Sequence, residues 1–393
     1  MALAPRFGAE FARLVRERDE GGLYRLLRNV ERGQAAPGEG RGAAPGRDAA
    51  TASDAALAAL ERARQPRASG GERLEALLAA LRAWCTQYLD EDDADWMLPA
   101  LLQLAAAPRR LAAALDAGEG TDARKQRTVE AYREQFQRLH RDRDRREGAL
   151  AISCELLRLY CRLGQPSQCS FVLAVVSQHG PDLDSLPKAL SLPLCFLRGK
   201  HCVLDGKVAD AEELLGWALA RCPPKAVGNR RKILTYLVPC RLRMGRYPSL
   251  DCLRRHGLES YVGIAASVAA GDCKRFDQEL EKHEDEFMNS GTYLVVEKLK
   301  LLAQRNLCRK VYEGVAGDCQ VAGKAQHAHK QDLSWYERAF EWQDDCGADE
   351  TFCVLAHLIF IGAIRGYLSD EHHKIVFSKE SPFPPAASWS MKG

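Results

Sequence analysis

From Phe7 to Val30 apolar residues recur three and four apart: Phe7, Phe11, Leu14 and Val15, then Leu23, Leu26, Leu27 and Val30. That spacing predicts one amphipathic helix or a helical pair. The periodicity stops at residues 31–56, which are rich in Gly, Ala and Pro and hold no aromatic residue; a disordered insertion is expected there. It resumes at Leu57. Leu74, Leu77, Leu78, Leu81, Trp84, Cys85 and Tyr88 mark one buried helix face. A second helix is predicted from about Trp96 to Leu115, with Pro99 suited to its first turn and Pro108 expected to kink or interrupt it. Residues 121–147 interleave nine Arg/Lys with six acids, the pattern of a solvated helix carrying pairs one turn apart.

Beyond Gly148 a unit recurs: a helical pattern ends at a glycine and another begins within a few residues. The turns fall at Gly164, Gly206, Gly245 and Gly271. Glycine suits the left-handed position that closes a helix, and the first two intervals, 42 and 39 residues, are those of stacked helical hairpins. Such hairpins cannot bury their apolar faces alone, so a superhelix of neighbours is predicted.

The style changes after Gly291. One long helix is predicted over TYLVVEKLKLLAQRNLCRKVY, followed by a polar stretch at Glu313–Lys330. Two shorter helices follow, Leu333–Trp342 and Glu350–Ile361, the latter capped by Asp349. Two β-like runs, Ile364–Leu368 and Lys374–Phe377, flank a hairpin loop. Three helices and a hairpin are the order of a winged helix, and the ending ESPFPPAASWSMKG reads as an extended tail. The fold class is thus all-α with a small β-hairpin: a TPR-like helical-repeat superhelix, then a C-terminal winged helix. The expected divisions are 1–30 (N-terminal helix), 31–56 (insertion), 57–147 (N-terminal helical region), 148–291 (repeats), 292–380 (winged helix) and 381–393 (tail). The winged helix is expected to continue the repeat stack without a linker near 290.

Composition narrows the function classes. Hydrophobic residues are 46% of the 393, enough for a sizeable core, and the net charge of +3 defines no acidic or basic class. No apolar run reaches membrane-spanning length, and charge arrives too early in the chain for a signal peptide; an intracellular chain is expected. The 14 cysteines are scattered without a C-x2-C pair. They read as small buried hydrophobes in a reducing compartment rather than a zinc site. The histidines at 327, 329, 372 and 373 lack acids or cysteines at ligand spacing, and no Gly-rich phosphate loop or G-x-S-x-G elbow is present. Neither a cofactor, a metal nor a catalytic residue is expected.

One segment departs from the even charge. Arg221–His256 contains ten Arg/Lys against Asp251 alone. Three readings stand: a phosphate-tracking face, a site for an acidic protein, or a solvated face whose charges meet acids such as those of Glu279–Glu286. The candidate nucleic-acid-binding residues are Arg230, Arg231, Lys232, Arg241, Arg243, Arg246, Arg254 and Arg255, with the wing residues Lys374 and Lys379 as an extension. Pro239 should bend the helix that carries them and turn both halves towards one surface. The third helix of the winged helix follows an acidic run and is almost wholly apolar, so base-specific DNA reading is not expected of it.

Several runs carry a family resemblance. AEELLGWALARCPPKAVGNRRKILTYLVPCRLRMG, FDQELEKHEDEF, GTYLVVEKLKLLAQRNLCRKVY and IRGYLSDEHHKIVFSKESPFPP resemble the PCI family, whose module joins helical repeats to a winged helix in the proteasome lid, the signalosome and translation initiation factor 3. The match is closer to a branch that serves mRNA export, and is strong from about residue 195 to 385. The 31–56 segment, a longer 315–330 region and the basic Arg221–His256 stretch depart from that branch. The resemblance implies a non-catalytic scaffold in the nucleus, at nuclear pores and in part cytoplasmic, with no membrane partner. It implies a GANP-type export scaffold and a small acidic disordered protein shared with the proteasome lid as partners, beside RNA or DNA bound non-specifically. A signalosome-associated subunit acting through protein contacts only, or a winged-helix transcription regulator, are the alternatives.

Overall fold

The computed structural model describes residues 4–32, 52–65, 67–178, 183–321 and 328–389. The disorder expected for 31–56 falls mainly on residues 33–51, outside the described residues; at its edges helix reaches Arg32 and restarts at Ala52. Two compact units divide the chain, Met1–Leu197 and Arg198–Gly393.

In the first unit the N-terminal pattern resolves into a pair, α1 (Ala4–Arg16) and α2 (Glu20–Arg32). Then come α3 (Ala52–Ala63), α4 (Gly70–Asp90), α5 (Leu98–Glu119), α6 (Ala123–His140), α7 (Arg146–Arg162) and α8 (Pro166–Gln178). The next helix, α9 (Lys188–Leu204), contains the division between the units. A capping box opens α4: the Ser69 hydroxyl accepts from the Glu72 amide and the Glu72 carboxylate from the Ser69 amide. The core centres on Trp84, fully buried and edge-on to Phe11 at 6.1 Å and Trp96 at 6.2 Å.

Pro108 does not interrupt α5. The Arg109 amide donates to the Tyr132 hydroxyl at 3.2 Å, and that hydroxyl donates to the Ala105 carbonyl. A phenol from α6 thus replaces a rung of the α5 ladder beside the proline. In the basic run Arg124, Lys125 and Arg127 are paired with carboxylates, Arg124 with Glu119, Lys125 with Asp122 and Arg127 with Glu75 at 3.1 Å.

The second unit continues with α10 (Val208–Arg221), α11 (Val227–Arg243), α12 (Leu250–Arg255), α13 (Ser260–Ala270), α14 (Cys273–Lys282) and α15 (Glu284–Ser290). The four glycines expected at turns all lie between helices with positive φ, 62° to 75°. At Gly271 the demand is steric as well. A Cβ there would lie 2.5 Å from the Leu307 amide nitrogen and 2.8 Å from the Asn306 carbonyl carbon, so the turn and the following long helix touch backbone to backbone.

That long helix is not single. The segment after Gly291 breaks at Lys298–Leu299 into α16 (Tyr293–Glu297) and α17 (Lys300–Val321), with the Leu299 side chain buried in the break. Half of the polar stretch expected as loop is helical, because α17 runs on to Val321; residues 322–327, His327 included, lie outside the described residues. A short strand that the apolar pattern does not announce, β1 (Lys330–Asp332), precedes α18 (Leu333–Asp344) and α19 (Ala348–Phe360). Gly347, not Asp349, is the N-cap of α19, and its amide donates to Glu350 at 3.1 Å. Then β2 (Gly366–Ser369) and β3 (Lys374–Phe377) complete a three-stranded antiparallel sheet, ordered β1-β3-β2, in place of the expected hairpin. Gln331 and Leu368 both pair with Ile375. The order α17-β1-α18-α19-β2-β3 is that of a winged helix, and its elements belong to the same compact unit as α10–α15.

The tail is extended but packed. Phe383 meets Tyr312 and Phe377, each at 5.5 Å. Arg305 donates to the carbonyls of Phe383 and Pro384 at 2.9 and 3.1 Å. Trp389 is buried, and Ala386 comes up against the Gly245 turn.

Candidate nucleic-acid interface

The basic segment does not form one stripe. At its start the chain leaves α10 through Cys222-Pro223-Pro224 and enters α11 at Val227. Arg230 turns back: its Nη1 donates to the Leu219 and Cys222 carbonyls at 3.2 and 3.0 Å. It therefore satisfies the open carbonyl end of α10. Arg221 lies over the Trp217 ring at 4.1 Å.

The next two cations face outward. Arg231 and Lys232 are exposed on the first turns of α11, and the Arg231 guanidinium packs over the Gly257 turn that follows α12. Arg254 and Arg255 are exposed on the last turn of α12. Half-buried His256 directly follows Arg255. Burial, then the nearby charges of Arg230 and Arg255, push its pKa below the ordinary histidine range. Among the described residues Arg231, Lys232, Arg254 and Arg255 make no ion pair. The start of α11 and the end of α12 thus form one exposed cationic cluster.

Three expected members are elsewhere. Arg241 and Arg246 share one acceptor, Glu212 of α10, at 3.1 and 3.2 Å, which takes up much of their charge. Arg243 is 6% exposed, and its Nη1 has no hydrogen-bond partner; burial lowers its pKa to about 10. The helix runs through Pro239, yet it does not turn these residues onto the face of Arg231. The acids of Glu279–Glu286 do not neutralise the cluster through Glu279, whose carboxylate meets Lys282 at 3.4 Å and His283 at 3.7 Å. On the wing, Lys374 and Lys379 are exposed; Lys374 stands opposite Asp332 across the β1–β3 ladder.

α19, in the position of a recognition helix, contains no Lys or Arg and begins with Asp349 and Glu350. It offers little to phosphate or base edges. An unanticipated feature lies on α18. Trp335 and Trp342, two turns apart, are exposed, and Arg338 lies over the Trp335 ring at 5.9 Å. Trp342 borders a groove with Lys274 and Arg275 of α14. The i, i+7 spacing of the two tryptophans is visible in the sequence, but a face marked by only two large residues does not reveal its direction.

Burial pushes the thiols of Cys85, Cys154, Cys240 and Cys273 up to about 12. Among the described residues no group of three His, Cys, Asp or Glu could hold a metal ion, and no helix is long and apolar enough to cross a membrane.

Helical hairpins closed by glycine turns and running into a winged helix define the PCI-type architecture. No family model matches the chain, but individual proteins do. Enhanced ethylene response protein 5 of Arabidopsis thaliana is 33% identical over 242 residues, 61% of this chain and 57% of that protein. The PCI domain-containing protein 2 homolog of Drosophila melanogaster is 32% identical over 242 residues, 61% and 58%. The CSN12 homolog of Gibberella zeae is 29% identical over 264 residues, 62% and 56%. The chain is similar to proteins named PCI domain-containing protein 2 and CSN12 homolog, and it spans a little over half the length of these relatives.

Proposed function

We propose that the protein is a non-catalytic scaffold subunit of a nuclear mRNA-export complex, coupling transcription to export at nuclear pores, and that it holds nucleic acid without sequence preference through the α11–α12 cluster. The observation that carries the nucleic-acid part is the convergence of Arg231, Lys232, Arg254 and Arg255 on one exposed surface without carboxylate partners. Contacts of this kind neutralise phosphates and set affinity rather than sequence. The lack of Lys and Arg in α19 supports the same division, since the helix in the recognition position is poorly suited to reading bases. A GANP-type scaffold and a small acidic disordered protein are the proposed protein partners. The exposed Trp342 offers an apolar anchor to a segment folding on contact, in a groove where Lys274 and Arg275 lie among Asp272 and Glu279.

The test replaces Arg231, Lys232, Arg254 and Arg255 by Ala and measures single-stranded RNA binding against salt. The log–log slope of about −0.7 per neutralised phosphate should flatten, equally for all sequences, while the melting temperature stays put. An unchanged slope sinks the assignment of this face. The CSN12 homolog favours a second reading, a signalosome-associated subunit working through protein contacts alone. Intact complex assembly with no measurable RNA affinity selects that reading.

A further inference from the structure

Between β3 and Phe383 the chain makes an irregular turn, Ser378-Lys379-Glu380-Ser381-Pro382. Both of its ends are tied to Arg365, whose carbonyl accepts from the Ser378 amide and whose amide donates to the Pro382 carbonyl, each at 2.8 Å. Inside the turn the Ser378 hydroxyl is occupied locally. It donates to the Glu380 carbonyl at 2.9 Å and accepts from the Glu380 amide at 3.3 Å. Ser381 differs. It is exposed, and its hydroxyl has no hydrogen-bond partner among the described residues. Its φ of 50° lies in the left-handed region, which a residue with a Cβ adopts only at a cost. The bonds to Arg365 on either side impose that conformation, and drawing the segment out into an extended strand relieves it.

Ser381 also precedes a proline, and this is the only Ser-Pro or Thr-Pro step in the 393 residues. A proline in that place keeps the serine out of helix. It also brings no amide hydrogen that an enzyme cleft would have to satisfy. The charges around the turn suit an added phosphate. Arg365 and Lys379 are exposed, and neither makes an ion pair among the described residues. Glu380 is the one acid within the turn, and it too is exposed. A phosphoserine brings roughly two negative charges and three acceptor oxygens, and a guanidinium matches such oxygens bidentately.

We propose that Ser381 is the acceptor site of a proline-directed protein kinase and that Arg365 holds the resulting phosphate. The Ser381 Oγ attacks the γ-phosphorus of ATP. The Oγ–P bond forms as the bond from that phosphorus to the bridging oxygen breaks, the hydroxyl proton passes to the catalytic aspartate of the kinase, and ADP leaves. The added charge stands two residues from Lys379, so it opposes contact of that wing lysine with nucleic acid. The site is independent of the α11–α12 cluster.

The test incubates the folded full chain with a cyclin-dependent kinase, Mg²⁺ and ATP, and maps the modified residues by mass spectrometry. Phosphate on Ser381 is expected. Ser381→Ala and Pro382→Ala should each abolish it. Ser381→Ala removes none of the backbone bonds that hold the turn, so it serves if the proline variant melts early. A phosphorus NMR titration of the modified chain then reads the phosphate itself. Its second pKa should lie below the value of about 6 for free phosphoserine, because a neighbouring guanidinium favours the dianion. Arg365→Ala should raise it back towards that value. The proposal is overturned if Ser381 takes up no phosphate, if only the urea-unfolded chain accepts it, or if Arg365→Ala leaves the titration unchanged.

Discussion

At Thr235 a proline four residues on leaves a carbonyl without its helical donor, since Pro239 has no amide hydrogen. Tyr261 of α13 supplies it, donating its hydroxyl at 2.8 Å. Burial pushes the Tyr261 pKa up, so the phenol remains a donor at any ordinary pH. Together with the Tyr132 bridge beside Pro108, this makes a tyrosine hydroxyl the repair of a proline-broken ladder in each unit. Tyr261→Phe keeps the ring packing and leaves the carbonyl unsatisfied, so urea unfolding should show a loss of about 1–3 kcal/mol. A loss below about 0.5 kcal/mol would mean that the repair contributes little. The adjacent arginines make a sharper contrast. Arg230→Ala removes two carbonyl contacts at the end of α10 and is expected to cost about 1–2 kcal/mol. Arg231→Ala, on an exposed charge, should cost nearly nothing and yet weaken RNA binding. Equal melting temperatures for the two variants would contradict that division of labour.

At the level of elements, what was legible in the sequence is what local physics dictates. The glycine turns at 164, 206, 245 and 271 follow from a backbone conformation that other residues adopt at a cost. The β2–β3 pair follows from period-two patterning. The misses share a different cause. β1 has only three residues, and its place is set by pairing with β3 more than forty residues later. The end of α17 is helical without an apolar stripe. The basic segment was legible as a charge excess, but its partition was not. Whether an arginine is buried like Arg243, shared with Glu212 like Arg241 and Arg246, or open like Arg231 depends on the helix packed beside it. Composition shows that ten cations exist; only packing shows which of them face water.

On the scale of the whole molecule, the second unit is bound together by its last described residues. Shortening the chain to end at residue 381 removes Phe383 from between Tyr312 and Phe377, and Trp389 from its buried site. It also leaves Arg305, 8% exposed, without two carbonyl acceptors. The expected outcome is a fall in stability of several kcal/mol, read by urea unfolding of the second unit. A shortened chain with an unchanged transition would show the tail to be ornamental.

The tail also orders events in time. Most hairpins of this chain bring together residues that are close in sequence, and such contacts form early because short loops cost little entropy to close. The clasp of Arg305 on Phe383 and Pro384 joins points 78 and 79 residues apart. Its closure belongs to the late, slow part of folding. Until then Tyr312 and Phe377 lack the cover of Phe383, and Arg305 lacks its acceptors. The interval between hairpin formation and clasp closure is therefore when this unit is most prone to associate wrongly, and conditions that lengthen that interval should raise aggregation without any change in the finished fold.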